Sequence, residues 1–314
     1  MKAPEVMVLF LNALARAWKA SGYHTLDKVK WGAIKRVFYV INVITNHEYS
    51  FKIFDQDNNS FIKKTFDTRP EYYQIIESPY MDASWNLEKR INKLFEHLKF
   101  IESSNFNFKF DQSIEIVDLN IFGLPDYSII LDKPIWFYRE GTLCLNLFKG
   151  NIRLYTVSFS IEQQDGKMAM LIGGIQGRNI ENALDEYRIF TKLANGMRPR
   201  DFVIELTRIF AHAFRVASIE AVADECRHQR HRYFGKDPER PLPSDYNEIW
   251  ADRGGIRKGL NRFILPMHTD RDITAVPAKK RSMYRKRYAM LYEIEKTIEN
   301  NVVYLVPKQA IEAQ

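Results

Sequence analysis

The chain has 314 residues, of which 46% are hydrophobic and 27% charged, and its mean hydropathy is −0.35. This composition is that of a globular protein and excludes a disordered or collagen-like chain, while two cysteines, Cys144 and Cys226, are too few for a disulfide framework or a cysteine-rich zinc site. The net charge of +7 favours acidic partners: a phosphate-bearing small molecule, an acidic peptide or an anionic membrane surface.

At roughly 150 residues per domain, the length predicts about two domains, or one large domain with an added lobe. No apolar run reaches the roughly 18 residues needed to cross a bilayer. The run Val6–Leu11 is too short for the core of a signal peptide, and Glu5 stands where such a peptide is basic. We therefore expect a cytoplasmic protein. The first segment has the spacing of a helix, with one stripe that comprises Met7, Phe10, Leu11, Leu14 and Trp18.

Residues 1–110 are predicted to form a helical and mixed lobe. Within it, Leu87–Ile101 places its apolar side chains on one helical face, and the polar run Asp55–Ser60 indicates a turn. From about Ile114 the apolar period changes from 3.6 towards 2, which is typical of a sheet. We therefore expect a second domain over residues 111–314.

Three antiparallel strands are predicted in the middle of the chain. Leu143–Leu147 and Leu154–Ile161 alternate apolar and polar residues, and Lys149–Asn151 supplies the turn of a hairpin. A second turn at Gln164–Lys167 leads into Met168–Ile175, a continuous apolar run suited to a strand that is covered on both faces.

Helices follow the third strand. Asn179–Leu193 is predicted as one helix, a second begins at Pro199, and Ile219–Ala223 forms a short strand. Strand, helix and strand in this order favour a crossover packed on the sheet. After a further strand at Phe263–Leu265 the chain closes with a helix over Arg281–Glu299. The predicted fold class is α/β (α+β), with a mixed, largely antiparallel sheet flanked by helices.

Five motifs follow one another along the C-terminal two thirds of the chain: Ile172–Arg178, Gly196–Pro199, Asp245–Trp250 with Gly254–Gly255, Phe263–Pro266 and Lys279–Tyr288. In this order they resemble the VirK/YbjX family of bacterial proteins. That family is known chiefly as a domain of unknown function, and some members are linked to virulence and to survival of antimicrobial peptides. Its members usually carry a histidine after the strand that matches Ile219–Ala223, and the nearest one here is His228, one residue out of register.

The run Gly173–Arg178 is predicted to form a glycine turn after the central strand. Glycines there let a backbone approach a ligand closely, and exposed amides beside an arginine can hold a phosphate. The layout of strand, glycine turn, helices and strand is similar to the GNAT acyltransferase fold, although the second glycine of the GNAT loop is missing after Gly177. This similarity implies that Gln176, Gly177 and Arg178 bind the phosphates of coenzyme A. A tight turn without a ligand is the alternative.

The basic run Asp224–Tyr233 contains Glu225, His228 and His231 at spacings of three. On one helix these side chains would converge, either as a general base with its orienting partner or as metal ligands. The arginines in the same run disfavour a divalent metal. A solvated basic helix is the third possibility.

The segment Lys279–Tyr288 holds six cations interleaved with Tyr284 and Tyr288. On a helix the cations would lie opposite the tyrosines, as a solvated face, or they would bind phosphates of a lipid, a cofactor or a nucleic acid. Nucleic acid is less favoured, because no RNA-recognition signature or zinc finger accompanies the cations.

These features favour an acyltransferase that moves an acyl group from a coenzyme A or carrier-protein thioester to an amine or hydroxyl of a peptide, lipid or sugar. His228 or Glu225 would remove the proton of the acceptor and Tyr233 would protonate the leaving thiolate, with the acyl thioester as co-substrate and no tightly bound cofactor. The alternative is a non-catalytic protein that binds an anionic lipid, a nucleic acid or an acidic protein through its basic C-terminal surface. Candidate substrate-binding residues are Tyr155, Ser158 and Trp250.

Overall fold

The computed structural model of the protein describes residues 3–22, 32–103, 112–179 and 181–302. Over these ranges the chain forms helices on both faces of one eight-stranded sheet. The α-helices are α1 Ala3–Ala20, α2 Gly32–Thr45, α3 His47–Phe54, α4 Phe61–Thr68, α5 Leu87–Ser103, α6 Ala183–Leu193, α7 Pro199–Ala213, α8 Tyr246–Asp252 and α9 Arg281–Val302.

The sheet has the strand order β1-β2-β3-β4-β5-β6-β8-β7. All neighbouring strands are antiparallel except β5 and β6. A parallel pair needs a crossover connection, and α6 and α7 supply it. The strands are β1 Ile114–Asp118, β2 Tyr127–Asp132, β3 Leu143–Lys149, β4 Ile152–Gln164, β5 Lys167–Gly177, β6 Ser218–Val222, β7 Ile256–Lys258 and β8 Arg262–Leu265.

Different parts of the chain cover the two faces of the sheet. On β4, the Phe159 ring packs edge-on against Phe210 of α7, with 6.3 Å between ring centroids. The next residue, Ser160, points to the opposite face, where its hydroxyl lies 2.7 Å from the hydroxyl of Tyr80. The N-terminal lobe therefore covers one face of β4 and α7 covers the other.

The buried apolar side chains form one core that includes residues of both predicted domains, from α1 to α9. A buried ion pair also joins the two parts, since Nη1 of Arg262 on β8 lies 2.6 Å from Oδ2 of Asp82. The predicted boundary between residues 110 and 111 falls in 104–111, which lies outside the described ranges.

The predicted fold class is confirmed: the sheet is mixed, largely antiparallel and flanked by helices. The three predicted antiparallel strands correspond to β3, β4 and β5, with continuous pairing from one to the next. Helix α1 is also present, but Leu11 and Trp18 of its predicted stripe are exposed, and the small side chains of Ala13 and Ala17 face inward. None of the described helices combines the length and the apolar character required to cross a bilayer.

Two local predictions are wrong. The glycine turn over Gly173–Arg178 does not exist, because pairing with β4 extends β5 to Gly177. The run Asp224–Tyr233 is not one helix but a series of three short 3-10 turns, since Arg227 and His231 between them take extended ψ angles of 142° and 144°.

Candidate functional site

Strands β5 and β6 diverge at the end of their parallel pair. Their last paired residues are Ile172 and Ala221. Immediately beyond, β5 has a bulge at Gly173, because Ile172 and Gly174 pair with adjacent residues of β4. Bulges of this kind are over-represented beside active sites. The divergence creates a wedge between the two strands.

Helix α8 fills this wedge. Asp245 caps its N-terminus. The hydroxyl of Tyr246 accepts a hydrogen bond from the amide of Ile175 at 2.9 Å and donates one to the carbonyl of the same residue at 3.2 Å. One turn later, Nε1 of Trp250 donates to the carbonyl of Val222 at 3.0 Å. The helix therefore supplies partners for main-chain groups of β5 and β6 where the strands no longer face each other.

The carboxyl group of Glu140 packs against β5 on the face that the N-terminal lobe covers. Nε2 of Gln176 lies 2.6 Å from both carboxyl oxygens, and Nε2 of Gln229 lies 3.1 Å from Oε1. A Cβ atom on Gly173 would lie 2.1 Å from the carbonyl oxygen of Glu140, and one on Gly174 would lie 2.5 Å from Oε2. The two glycines therefore allow Glu140 to pack closely against the strand.

Burial raises the pKa of Glu140 to about 7, and only 4% of the residue is exposed. The hydrogen bond from Gln176, the charge of Arg227 and the hydrogen bond from Gln229 act in the opposite direction, but burial outweighs them. A carboxyl group with this pKa exchanges a proton readily at neutral pH, which is the property of a general acid or base.

The imidazole of His228 lies next to this carboxyl group. Its Nε2 is 3.9 Å from Oε1 of Glu140, which is too long for a hydrogen bond. Its Nδ1 is buried and has no hydrogen-bond partner among the described residues. Burial lowers the pKa of His228 to about 3, and the charges of Arg139 and Arg227 add to the effect. The neutral ring offers one donor and one acceptor to a small polar group.

Aromatic rings close the outer side of this cluster. The ring of Phe234 lies 5.5 Å from that of His228 and 5.1 Å from that of Tyr233. The guanidinium of Arg139 lies 5.5 Å from the ring centroids of both Tyr233 and Phe234. Tyr233 is 45% exposed, so it links the cluster to solvent. We call Glu140, Gln176, His228, Gln229 and Tyr233 the Glu140 site.

An open cleft of about 590 Å³ lies at the end of β5, and the predicted residues Tyr155, Gly177 and Arg178 line it. The Tyr155 ring packs on Tyr187 of α6, with 5.9 Å between ring centroids. Tyr155 is four residues from Phe159 on β4, so both side chains point to the face that α7 covers. The cleft therefore lies on the sheet face opposite to Glu140. The amide of Arg178 donates to the carbonyl of Leu154 at 2.8 Å. That amide is therefore not available to a phosphate, contrary to our expectation.

Glu225 lies apart from the Glu140 site, on the surface. Its carboxylate accepts hydrogen bonds of 3.1 Å from Asn247 and from Arg257. Partial burial raises the pKa of Glu225, but the hydrogen bonds that it accepts outweigh burial, so the pKa lies below its ordinary value. A carboxylate held in this way is a weak base.

Two predicted substrate-binding residues are fully buried. Ser158 accepts a hydrogen bond from Sγ of Cys144 at 3.4 Å, and Trp250 is bonded to β6 as described above. Both side chains have no exposed surface. Their contacts are those of core residues.

The metal-site alternative has no geometric basis in the part of the chain that the structure describes. There, no group of three His, Cys, Asp or Glu side chains is placed to hold a metal ion. Glu225 and His228 lie in different turns and His231 lies between the second and the third, where its Nδ1 accepts a hydrogen bond from the amide of Tyr233.

The basic C-terminal segment divides into two sets of cations. Arg281 donates to the carbonyls of Thr274 and Val276, and Arg287 donates to the carbonyl of Asn195. These two arginines bind the chain itself. The set that is exposed consists of Lys279, Lys280, Arg285 and Lys286.

Sequence reasoning missed Glu140 and Tyr246 as site residues. Glu140 lies in a connection between β2 and β3 with no motif around it, and 36 residues separate it from Gln176. The available signal was the Gly173–Gly174 pair inside an apolar run, since a glycine in a strand often marks close approach of another backbone. That signal does not reveal which residue approaches.

Comparison with known proteins gives matches over most of the chain. Residues 29–300 match the family described as "Protein of unknown function (DUF535)". "Uncharacterized protein YbjX" of Escherichia coli K12 is 28% identical over 228 residues, which cover 70% of this chain and 68% of that protein. An uncharacterized protein of Haemophilus influenzae is 26% identical over 264 residues, 81% of this chain and 84% of the relative. No solved structure matches the chain. The chain therefore belongs to the DUF535 family, which is the VirK/YbjX family that its C-terminal motifs predicted.

Proposed function

We propose that the protein is an acyltransferase in which Glu140 acts as the general base. It would move an acyl group from a coenzyme A or carrier-protein thioester to an amine or hydroxyl of a peptide, lipid or sugar. The observation that supports this proposal is the buried Glu140 carboxyl group, with a pKa of about 7, beside the imidazole of His228, whose Nδ1 has no hydrogen-bond partner among the described residues. Neither of the bases expected from the sequence has this property.

In the proposed reaction, Glu140 removes the proton from the attacking nitrogen or oxygen of the acceptor. The acceptor atom then bonds to the thioester carbonyl carbon, and the carbon–sulfur bond breaks. The leaving thiolate takes a proton from the hydroxyl of Tyr233, which is partly exposed and regains a proton from solvent. Glu140 then releases the proton that it removed from the acceptor, which restores the base and balances the cycle. His228 would orient the acceptor through a hydrogen bond across the 3.9 Å gap.

The thioester would enter through the cleft and the wedge. Arg178 lines the cleft and would bind the phosphates of the donor through its guanidinium. In this proposal the arm of the donor would pass from the cleft to the opposite face through the wedge between β5 and β6, where the Tyr246 hydroxyl bonds both main-chain groups of Ile175. An amide-bearing arm of the donor can replace that hydroxyl, because it offers one donor and one acceptor to an extended strand.

Binding and turnover of thioesters test this proposal. Coenzyme A or acetyl-CoA at about 100 times its dissociation constant would add roughly 2.7 kcal/mol to the stability of the protein at low salt. With a panel of amine acceptors, we expect Glu140→Gln to lower kcat/KM by roughly 10²- to 10⁴-fold, because a general base contributes about that factor. Release of free thiol measures the rate.

The matched control is Glu162→Gln. Glu162, on β4, is also a buried carboxylate, but it pairs with Lys93 of α5 and is not part of the Glu140 site. We expect it to keep the activity of the parent protein. An acyltransferase would be excluded if neither coenzyme A nor short- and long-chain acyl-CoA raised the melting temperature, and equal turnover by Glu140→Gln would remove Glu140 as the base.

The exposed cations of α9 and the turn before it support the second candidate, a non-catalytic binding protein. Lys279, Lys280, Arg285 and Lys286 are exposed and form no ion pair with a carboxylate in the described ranges. Replacing these four by glutamine would abolish capture of an anionic partner in a pull-down, whereas Glu140→Gln would leave capture unchanged. The reverse pattern would favour the enzyme.

A further inference from the structure

An exposed apolar surface covers the outer side of α1 and α2. Among the described residues, twenty large apolar side chains are exposed, and eight of them lie on these two helices. Their exposed fractions range from 38% to 64%. We call this surface the α1–α2 face; it consists of Val8, Leu11, Trp18, Ile34, Val37, Phe38, Ile41 and Ile44.

The spacing of these residues shows that both helices have a second apolar stripe. On α2 the exposed residues recur at intervals of three and four, while Tyr39 and Val43 face the core. On α1, Ala13, Ala17 and Ala20 face inward, whereas Val8, Leu11 and Trp18 are exposed. Helices that are apolar beyond their buried stripe have a further surface to cover.

The charges beside the α1–α2 face are positive. Lys19 and Lys35 are exposed next to it, and the Arg36 guanidinium lies 4.2 Å from the Trp18 ring centroid. Helix α2 contains no acidic residue, and α1 contains none from Val8 onward. A cleft of about 500 Å³ adjoins the C-terminal end of α1, and Arg16, Lys19 and Lys63 line it together with a single carboxylate, that of Asp67.

We propose that the α1–α2 face docks on the surface of an anionic phospholipid membrane. The apolar side chains would enter the boundary between headgroups and acyl chains, and the cations would meet the lipid phosphates, one of which fits the basic cleft. A second copy of the chain suits this surface less well. In a two-fold dimer the same cations face each other, and neither α2 nor the part of α1 from Val8 onward supplies a carboxylate to neutralise them.

Sedimentation with lipid vesicles tests the proposal. The full chain is mixed with vesicles of phosphatidylcholine alone or of phosphatidylcholine with one quarter phosphatidylglycerol. We expect binding to the anionic vesicles to exceed binding to neutral vesicles at least tenfold and to weaken as salt is raised. The double variant Lys19→Gln and Lys35→Gln should lower the partition coefficient at least tenfold, because it removes two cations from the surface.

Two double variants test whether binding depends on the α1–α2 face or on any exposed apolar side chain. Val37→Ser with Phe38→Ser removes two exposed side chains of the face, and Ile256→Ser with Leu260→Ser removes two side chains that are at least as exposed elsewhere. We expect the first pair to lose vesicle binding at least tenfold and the second to bind like the parent protein, with unchanged melting temperatures in both.

Three results would overturn the proposal: no binding to anionic vesicles, equal binding to neutral vesicles, or unchanged binding by Val37→Ser with Phe38→Ser. Light scattering of the protein in solution tests the alternative that a second copy of the chain occupies the α1–α2 face. A dimer that the Val37→Ser, Phe38→Ser variant converts to a monomer, without vesicle binding by the parent protein, would assign the face to a second copy. These measurements do not depend on acyltransferase activity.

Discussion

Glu140 couples proton binding to folding through one buried carboxyl group. Burial raises its pKa from 4.5 to about 7. Below pH 4.5 the carboxyl is protonated in both states. Between pH 4.5 and 7 the unfolded chain loses the proton while the folded protein keeps it, so the stability that this group contributes is lost as pH rises. Over that window the loss amounts to about 3 kcal/mol, at 1.36 kcal/mol per pKa unit.

Glu140→Gln should remove this dependence, because glutamine does not titrate. We expect the unfolding free energy of the variant, relative to the parent protein, to increase by about 3 kcal/mol from pH 4.5 to 7.5 and to be constant outside this window. Urea denaturation at a series of pH values measures it. The depressed pKa of His228 is common to both proteins, so its effect cancels in the difference. A difference that is flat from pH 4 to 8 would contradict the assignment.

Helix α8 stabilises the wedge through two side-chain hydrogen bonds to the main chain. Tyr246→Phe removes the hydroxyl that bonds the amide and carbonyl of Ile175 and leaves both groups buried without that partner. We expect a loss of about 1 to 3 kcal/mol, the usual cost of an unsatisfied buried polar group. Tyr292→Phe, at a residue that is 49% exposed on α9, should cost less than about 0.5 kcal/mol. Equal effects of the two variants in denaturant unfolding would contradict this role.

Across the whole molecule, the ion pair between Asp82 and Arg262 connects the N-terminal lobe to the far side of the sheet. Asp82 is fully buried, and 12% of the Arg262 side chain is exposed. Arg262→Ala leaves the carboxylate without its charged partner, and we expect a loss of about 3 to 5 kcal/mol in the unfolding free energy. Arg257→Ala breaks the exposed pair with Glu225 and should cost no more than about 1 kcal/mol. If urea denaturation showed that Arg262→Ala lowers the unfolding free energy by less than about 1 kcal/mol, this ion pair would not be needed to hold the N-terminal lobe on the sheet.

Local patterns were sufficient to predict the elements around the site. The alternation in Leu154–Ile161 and the continuous apolar run Met168–Ile175 predict β4 and the buried strand β5, because side-chain period and burial are properties of consecutive residues. The same holds for α7, which begins at Pro199 as expected. The family motifs lie in these C-terminal elements, so the sequence also sufficed to identify the family.

The composition of the site was decided by tertiary structure. Glu140 and Gln176 lie on different elements and meet only because β5 contains two glycines where the Glu140 backbone and carboxyl group pack against it. The pKa of Glu140 is set by its burial, where β5 and the turn that carries His228 and Gln229 contact its carboxyl group, and burial of one group by distant segments leaves no periodic trace in the sequence. The same reason explains Tyr246, whose hydroxyl is needed only where two parallel strands diverge. The sequence by itself thus determined the strands, the crossover and the family, while the folded chain decided which side chains meet and in which protonation state.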